Sequence, residues 1–211
     1  MNRLLRISEA LLPILLAYIL LIFSNEAQRY RLGSEGKFRI HAVQHTPQCG
    51  WECYQQTSAV CLQEHAGLPA SFRESVRLPY FGMIALLAGT GDYFGANLLF
   101  LALLWPLLMS LGTMRCLRLL RGGRSVPRGL TIGALITATA LGIYTLAFSF
   151  PEGHSLKSFV FNYLTDFILT LSHWTGLSYY DINALVFAVA WPLLTLALLI
   201  FWPLLEKRAS A

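Results

Sequence analysis

The sequence predicts an all-α membrane protein of four transmembrane helices, arranged as two parallel two-helix repeats with outer interfacial amphipathic helices. Three observations predict it: four apolar runs near bilayer length, arginines gathered at one set of run ends, and a motif that occurs twice. The composition agrees. Of the 211 residues, 55% are hydrophobic and 13% charged, and mean hydropathy is +0.55, outside the balance of soluble domains. The net charge of +5 does not imply nucleic acid as a partner, because the basic residues lie beside apolar runs and form no stripe with interleaved aromatics.

Residues 1–27 begin with a basic stretch to Arg6 and continue as an apolar run from about Ala10 to Ser24. This reads as an uncleaved signal-anchor helix, since Glu9 breaks the charge pattern of a signal peptide and residues 24–27 make a poor cleavage site. The second run covers Tyr93 to about Met114, the third Leu130 to Phe150 and the fourth Tyr179 to Leu205, each near the roughly 20 residues that a bilayer core requires. With the amino terminus inside, Arg3, Arg6, Arg115, Arg118, Arg121, Arg124, Arg128, Lys207 and Arg208 are cytoplasmic, against only Glu9 and Glu206. That satisfies the positive-inside rule. The expected setting is a bacterial-type inner (plasma) membrane, crossed several times, with both termini cytoplasmic. The run from Arg115 to Arg128 acts as a topological anchor with affinity for anionic headgroups.

The chain divides into residues 1–27, an extracytoplasmic Cys/His segment 28–78, a first repeat 79–128 ending in the basic cytoplasmic loop, and a second repeat 129–211 with spans three and four. The repeats share Tyr-aromatic-x-x-Asn-x-Leu, five residues, then Trp-Pro-Leu-Leu, starting at Tyr93 and at Tyr179. Asp92 and Ser178 precede them as N-caps, and Ser178 with Asp181 has capping-box spacing. Pro106 and Pro192 fall about halfway along their spans, where each removes a donor and is expected to kink its helix. Both copies enter from the same side, which relates the halves by an axis along the membrane normal. Asn97 and Asn183 form a pseudo-symmetric polar pair, expected either to bond to a neighbouring helix or the opposite repeat or to line an outward-facing pocket.

Before each capped span lies a stretch that reads as an interfacial helix, residues 71–89 and 156–174. In the second, Phe159, Tyr163, Leu164, Phe167, Ile168 and Leu171 recur at helical spacing, with Lys157, Asn162, Asp166 and Ser172 elsewhere on the wheel. The first is expected to break at Pro79 and Gly82, with a short re-entrant segment over 78–89 as the alternative.

The candidate ligands concentrate in the outer segment as His41-x3-His45-x3-Cys49-x3-Cys53-x7-Cys61-x3-His65. Cys and His bind zinc, copper or haem iron, and four-residue spacing places neighbours on one helical face. A transition metal or haem is the cofactor this pattern would take. Thr46 and Pro47 can start a helix that ends near Gly67. Outside the cytoplasm, Cys49, Cys53 and Cys61 are also candidates for a structural disulfide with one thiol left over, or for redox exchange. Cys116, beside Arg115 and Arg118, reads as a quiet interfacial cysteine.

No glycine-rich phosphate loop, HExxH, nucleophile elbow or pair of acids within the spans occurs in the chain, so no catalytic residue is assigned. The expected function is a non-catalytic accessory, assembly or scaffold subunit of a membrane complex. Its partners would be the lipid bilayer and a membrane protein or a second copy of the chain. Metal or haem handling by the outer segment is the alternative that the Cys/His spacing suggests. The layout of four membrane helices with cysteines outside also resembles the DsbB and vitamin K epoxide reductase families. That resemblance implies a thiol-disulfide oxidoreductase coupled to quinone. It carries over no residue: those families use a CxxC pair, whereas Cys49 and Cys53 are separated by three residues and the second outer loop, 151–178, has no cysteine.

Overall fold

A computed structural model describes residues 2–31, 67–122, 126–149 and 155–210. Among the described residues the secondary structure is entirely helical. Four helices are long and apolar enough to cross a membrane, over Glu9–Gln28, Tyr93–Leu120, Gly129–Ala147 and Tyr179–Arg208. The chain is a multi-pass membrane protein.

Helix α1 spans Asn2–Arg31 and carries the first span. Helix α2, Ala70–Ala88, runs unbroken through Pro79, where the sequence suggested a break. Proline inside a helix costs about 3 kcal/mol, and here Val76 and Tyr80 on either side of it are buried in a cluster with Ile168, Leu169, Tyr179 and Tyr180. That packing holds the helix together across the lost hydrogen bond.

The second span is composite: α3, Tyr93–Ala96, continues as a π-helical stretch, Asn97–Leu104, and then as α4, Trp105–Leu120. Helix α5, Arg128–Ser149, is the third span, and α6, Leu156–Thr175, follows it. The fourth span repeats the composite form, with α7, Tyr179–Asn183, a π-helical stretch, Ala184–Ala190, and α8, Trp191–Ser210. The reason for the π stretches lies in the next residue along. Pro106 and Pro192 have no amide hydrogen and would collide with the carbonyl four residues back. In both spans the tryptophan before the proline donates instead to the carbonyl five residues back, Trp105 to Phe100 and Trp191 to Val186. The wider turn makes room for the ring, a local adjustment that membrane helices use around proline.

A hydroxyl from a neighbouring helix completes each repair between α1 and α4. The Tyr18 hydroxyl donates to the carbonyl of Ala102, which is four residues before Pro106 and so lacks its usual partner. In return, Ser110 on α4 donates to Ala10 O (2.7 Å) and accepts from Ile14 N (3.2 Å). That bond pair bridges one turn of α1 around Pro13. Interhelical hydrogen bonds in membranes average about 0.6 kcal/mol, with a maximum near 1.7. The Tyr18→Phe and Ser110→Ala variants should each lower the thermal midpoint in detergent modestly, and the double variant should lose about the sum. Thermal unfolding followed by size-exclusion chromatography measures it.

Packing defines two ends. At one, Leu12, Met114, Val126 and Ala134 cluster, and two ion pairs tie α1 and α8 to α4: Arg118 to Glu9 at 2.8 Å and Arg115 to Glu206 at 2.7 Å. At the other, α2, α6 and α7 form a layer around Tyr180 and Leu169. Arg31 and Gly67, which lie on either side of the run from His41 to His65, belong to this second end, opposite Arg115 and Arg118. Along the spans large apolar side chains face outward, as with Ile136 at 63% and Leu199 at 64% exposure, the pattern expected of surfaces solvated by lipid.

Candidate functional site

The residues singled out by their Cys/His spacing, His41, His45, Cys49, Cys53, Cys61 and His65, lie outside the described residues. Among the described residues no three His, Cys, Asp or Glu side chains gather closely enough to hold a metal ion. Cys116 is buried with no disulfide partner. What the structure does describe is the ground on which the Cys/His segment ends. Gly67 N donates to Asp181 Oδ2 at 2.7 Å.

Asp181 owes its position to helix-cap chemistry. The first amides of α7 have no intrahelical acceptor, so Ser178 Oγ accepts from Asp181 N (3.1 Å) while Asp181 Oδ2 accepts from Ser178 N (3.3 Å). This is a complete capping box. Both residues are fully buried. Asp181 Oδ2 therefore joins the start of the fourth span to the end of the Cys/His segment. The corresponding cap of the second span, Asp92, accepts from Gly95 N at 3.1 Å but is exposed and forms an ion pair with Lys157 on α6.

A buried polar layer that the sequence did not reveal joins α1 to α6. Asn25, near the end of the first span and 0% exposed, donates through Nδ2 to Tyr163 O (2.8 Å) and accepts from Thr170 Oγ1 (3.3 Å). Trp174 Nε1 donates to Gln28 Oε1 at 3.0 Å, and the Tyr163 hydroxyl donates to Glu26 Oε1 at 3.0 Å. Burial, and then the charge of Glu26, hold the Tyr163 phenol well above its ordinary ionisation range. Helix α6 is thus joined to α1 along its length. It buries Phe161, Thr165, Asp166, Thr170 and Ser172 along with Phe159, Tyr163 and Ile168 of its apolar stripe. Asp166 and Ser172, which the helical wheel set apart from that stripe, are within the protein rather than in solvent. Polar groups at helical spacing, Asn25 and Gln28 three apart on α1 and Thr170 and Trp174 four apart on α6, were the available signal. Reading it required knowing that α1 and α6 meet.

Asn97 and Asn183 each serve their own helix. Asn97 Nδ2 donates to Tyr93 O (2.8 Å) and Asn183 Nδ2 to Tyr179 O (2.9 Å), just where each π stretch begins. Deeper in the membrane the two motif tryptophans meet. Trp105 and Trp191 stack with ring centroids 3.9 Å apart and planes 10° off parallel. Trp105 Nε1 donates to Thr195 Oγ1 (3.2 Å), which in turn donates to Trp191 O (2.8 Å).

Among the described residues, the buried Gln28 Nε2, Tyr180 hydroxyl and Asp181 Oδ1 have no hydrogen-bond partner. Such groups cost about 1–3 kcal/mol each unless a water or ligand atom meets them. The Tyr180 ring is held edge-on by Tyr80 at 5.1 Å and stacked by Phe81 at 6.2 Å. Carboxylate, phenol and amide groups are thus fixed in place by packing and hydrogen bonds.

The Asp92–Lys157 pair has a definite pH signature. Hydrogen bonds from Lys157 and Gly95 hold the Asp92 carboxyl below its usual range, so the folded state binds its proton less readily than the unfolded chain. The pair's contribution is present above the ordinary carboxylate pKa and is lost as pH falls through the depressed one. Asp92→Asn keeps a cap acceptor and removes the charge. The variant should be slightly less stable than the parent at neutral pH, and the difference should close in acid, as measured by thermal midpoints across pH.

No protein-family model matches the chain, and no curated protein or solved structure shows significant similarity to it.

Proposed function

We propose that the chain is a non-catalytic accessory or assembly subunit of a membrane complex, in which the four helices hold a braced platform at the membrane surface. One observation supports this best: the polar side chains of the bundle named above bond to its own helices, within one or between two. Tyr18 and Ser110 repair prolines, Asn97 and Asn183 bond within their own helices, and Asn25, Gln28 and Tyr163 join α1 to α6. In a transport or catalytic site such groups would face a substrate path. The reading places the chain in a bacterial-type inner membrane with both termini and the 115–128 region cytoplasmic, and residues 28–78 outside. The two composite spans then form parallel repeats related about the membrane normal, with α2 and α6 as outer interfacial helices. Purification from native membranes in mild detergent should yield a stoichiometric membrane partner. A monomer with full activity by itself would contradict the reading.

The Gly67–Asp181 bond favours a second reading. It ties Gly67 to a buried carboxylate at the start of the fourth span, and His65 is only two residues away along the chain. In this reading the segment handles a metal or haem, or exchanges thiols with a quinone-coupled partner. Stoichiometric metal lost in Cys49→Ser or His65→Ala would support ligation. A Cys pair whose oxidation state changes on quinone withdrawal would support exchange. An invariant oxidation state and no bound metal would remove this reading and leave the first intact.

A further inference from the structure

Helix α2 differs from its counterpart α6 in what its outward side carries. In α6 every residue from 158 to 172 is buried or half-buried. In α2 an exposed stripe follows the whole helix at three- and four-residue spacing. The first half of the stripe is Ser71, Glu74 and Ser75, and the second half is Leu78, Gly82, Ala85 and Leu86. Leu78 is 83% exposed and Leu86 74%.

Polarity therefore changes along the axis of α2 rather than around it. A helix lying flat at a membrane surface keeps one polar and one apolar face from end to end, whereas a helix that enters lipid obliquely changes where it crosses the boundary. On α2 the change falls between Arg77 and Leu78. Arg77 pairs with Glu74 at 3.6 Å, both exposed, and residues 78–91 carry no charge. The inward side agrees. It packs against the π-helical stretch Ala184–Ala190, which lies within the fourth apolar span.

The turn after α2 suits the same surroundings. Backbone groups in lipid need internal partners, and successive amides here have them. Gly89 donates to Ala85 O (2.9 Å), Thr90 to Leu87 O (3.3 Å), Gly91 to Ala88 O (3.1 Å) and Asp92 to Thr90 Oγ1 (3.4 Å). Gly91 takes a φ of +79°, open to glycine at no steric cost, and the chain returns to the exposed Asp92–Lys157 pair.

We propose that α2 is a half-inserted helix of the leaflet nearest the Cys/His segment. Residues 70–77 lie among the headgroups, and residues 78–88 sink into hydrocarbon, where Leu78, Gly82 and Leu86 meet acyl chains. The stripe then continues the lipid-facing surface of the adjoining second span, on which Leu99 and Phe100 are exposed. From Leu78 to Ala88 the helix rises about 15 Å at 1.5 Å per residue, and half of the hydrocarbon core is about 15 Å, so an oblique course stays within one leaflet. The proposal rests on the reading of α2 as an interfacial helix and is independent of the accessory role.

The test uses the full chain with its four cysteines changed to serine and a single cysteine placed at 71, 75, 78, 82 or 86. Each is spin-labelled and reconstituted in phosphatidylcholine vesicles. A Cβ added at Gly82 meets nothing within 4 Å, and the other positions are exposed, so the labels leave the packing intact. Oxygen, which concentrates in lipid, and a water-soluble nickel chelate report depth through their collision rates with the label. The ratio of oxygen to nickel collisions should be low at 71 and 75, rise at 78 and be highest at 82 and 86. In Leu86→Lys, which places a charge in hydrocarbon, the ratio at 82 should fall toward that at 75. An equal, intermediate ratio at all five positions would overturn the proposal and leave a flat interfacial helix. Free nickel access at every position would overturn the interfacial reading with it. Shielding of 78, 82 and 86 from both reagents would overturn it in favour of a protein partner or a second copy of the chain on the stripe.

Discussion

Replacing Asp181 with alanine is expected to destabilise the protein by about 2–3 kcal/mol. The bond from Asp181 N to Ser178 Oγ uses the backbone and persists, so the cost is that of the buried Ser178 amide left without its acceptor, about 1–3 kcal/mol and toward the upper end because the acceptor lost is a carboxylate. Ser178 is fully buried, so water cannot take over that amide, whereas Gly67 is exposed and its amide can be solvated. The two consequences should therefore separate. Thermal midpoints in detergent report the cap. Limited proteolysis between Arg31 and Gly67 reports release of the segment's end, and cleavage there should accelerate. Asp181→Asn keeps an acceptor oxygen and should retain most of the stability. If the alanine variant melts like the parent and is cut no faster, Asp181 is not the clamp described above.

Asn25→Leu should cost about 2 kcal/mol, the second largest effect. Leucine fills similar volume but removes the donor to Tyr163 O and the acceptor for Thr170 Oγ1, two buried hydrogen bonds lost at once. Coupling identifies the cause. Thr170→Val should be less costly in the Asn25→Leu background than in the parent, because groups in direct contact do not contribute additively. Additive losses would mean that the two side chains act separately and that the join between α1 and α6 lies elsewhere.

The membrane spans were legible because the requirement behind them is one-dimensional: an apolar stretch either matches bilayer thickness or does not. The sequence boundaries agree with the structure to within a few residues at most ends, although α1 continues to Arg31 and the second apolar helix to Leu120. Cap chemistry is equally local, since Ser178 and Asp181 meet within one turn. The prolines announced a disturbance at Pro106 and Pro192. Its form, a π-helical stretch before each, depends on backbone adjustments that no periodicity encodes. The buried polar layer was hidden for a different reason. Asn25 reaches residues 163 and 170, separations of 138 and 145 along the chain, and an amide at the end of a span looks the same whether it faces water or another helix. A helical wheel sorts side chains by polarity, yet α6 buries polar and apolar side chains together, because α1 and α7 pack against it as well as α3.

The central claim is that the Cys/His segment and the arginine-rich loop lie on opposite sides of the membrane. A chain with its four cysteines changed to serine would carry a single new one, at Thr46→Cys or at Ser125→Cys, and be exposed in intact cells to a maleimide that cannot cross lipid. Labelling of Thr46→Cys at once, and of Ser125→Cys only after permeabilisation, is the expected result. Labelling of both from the same side would contradict the account.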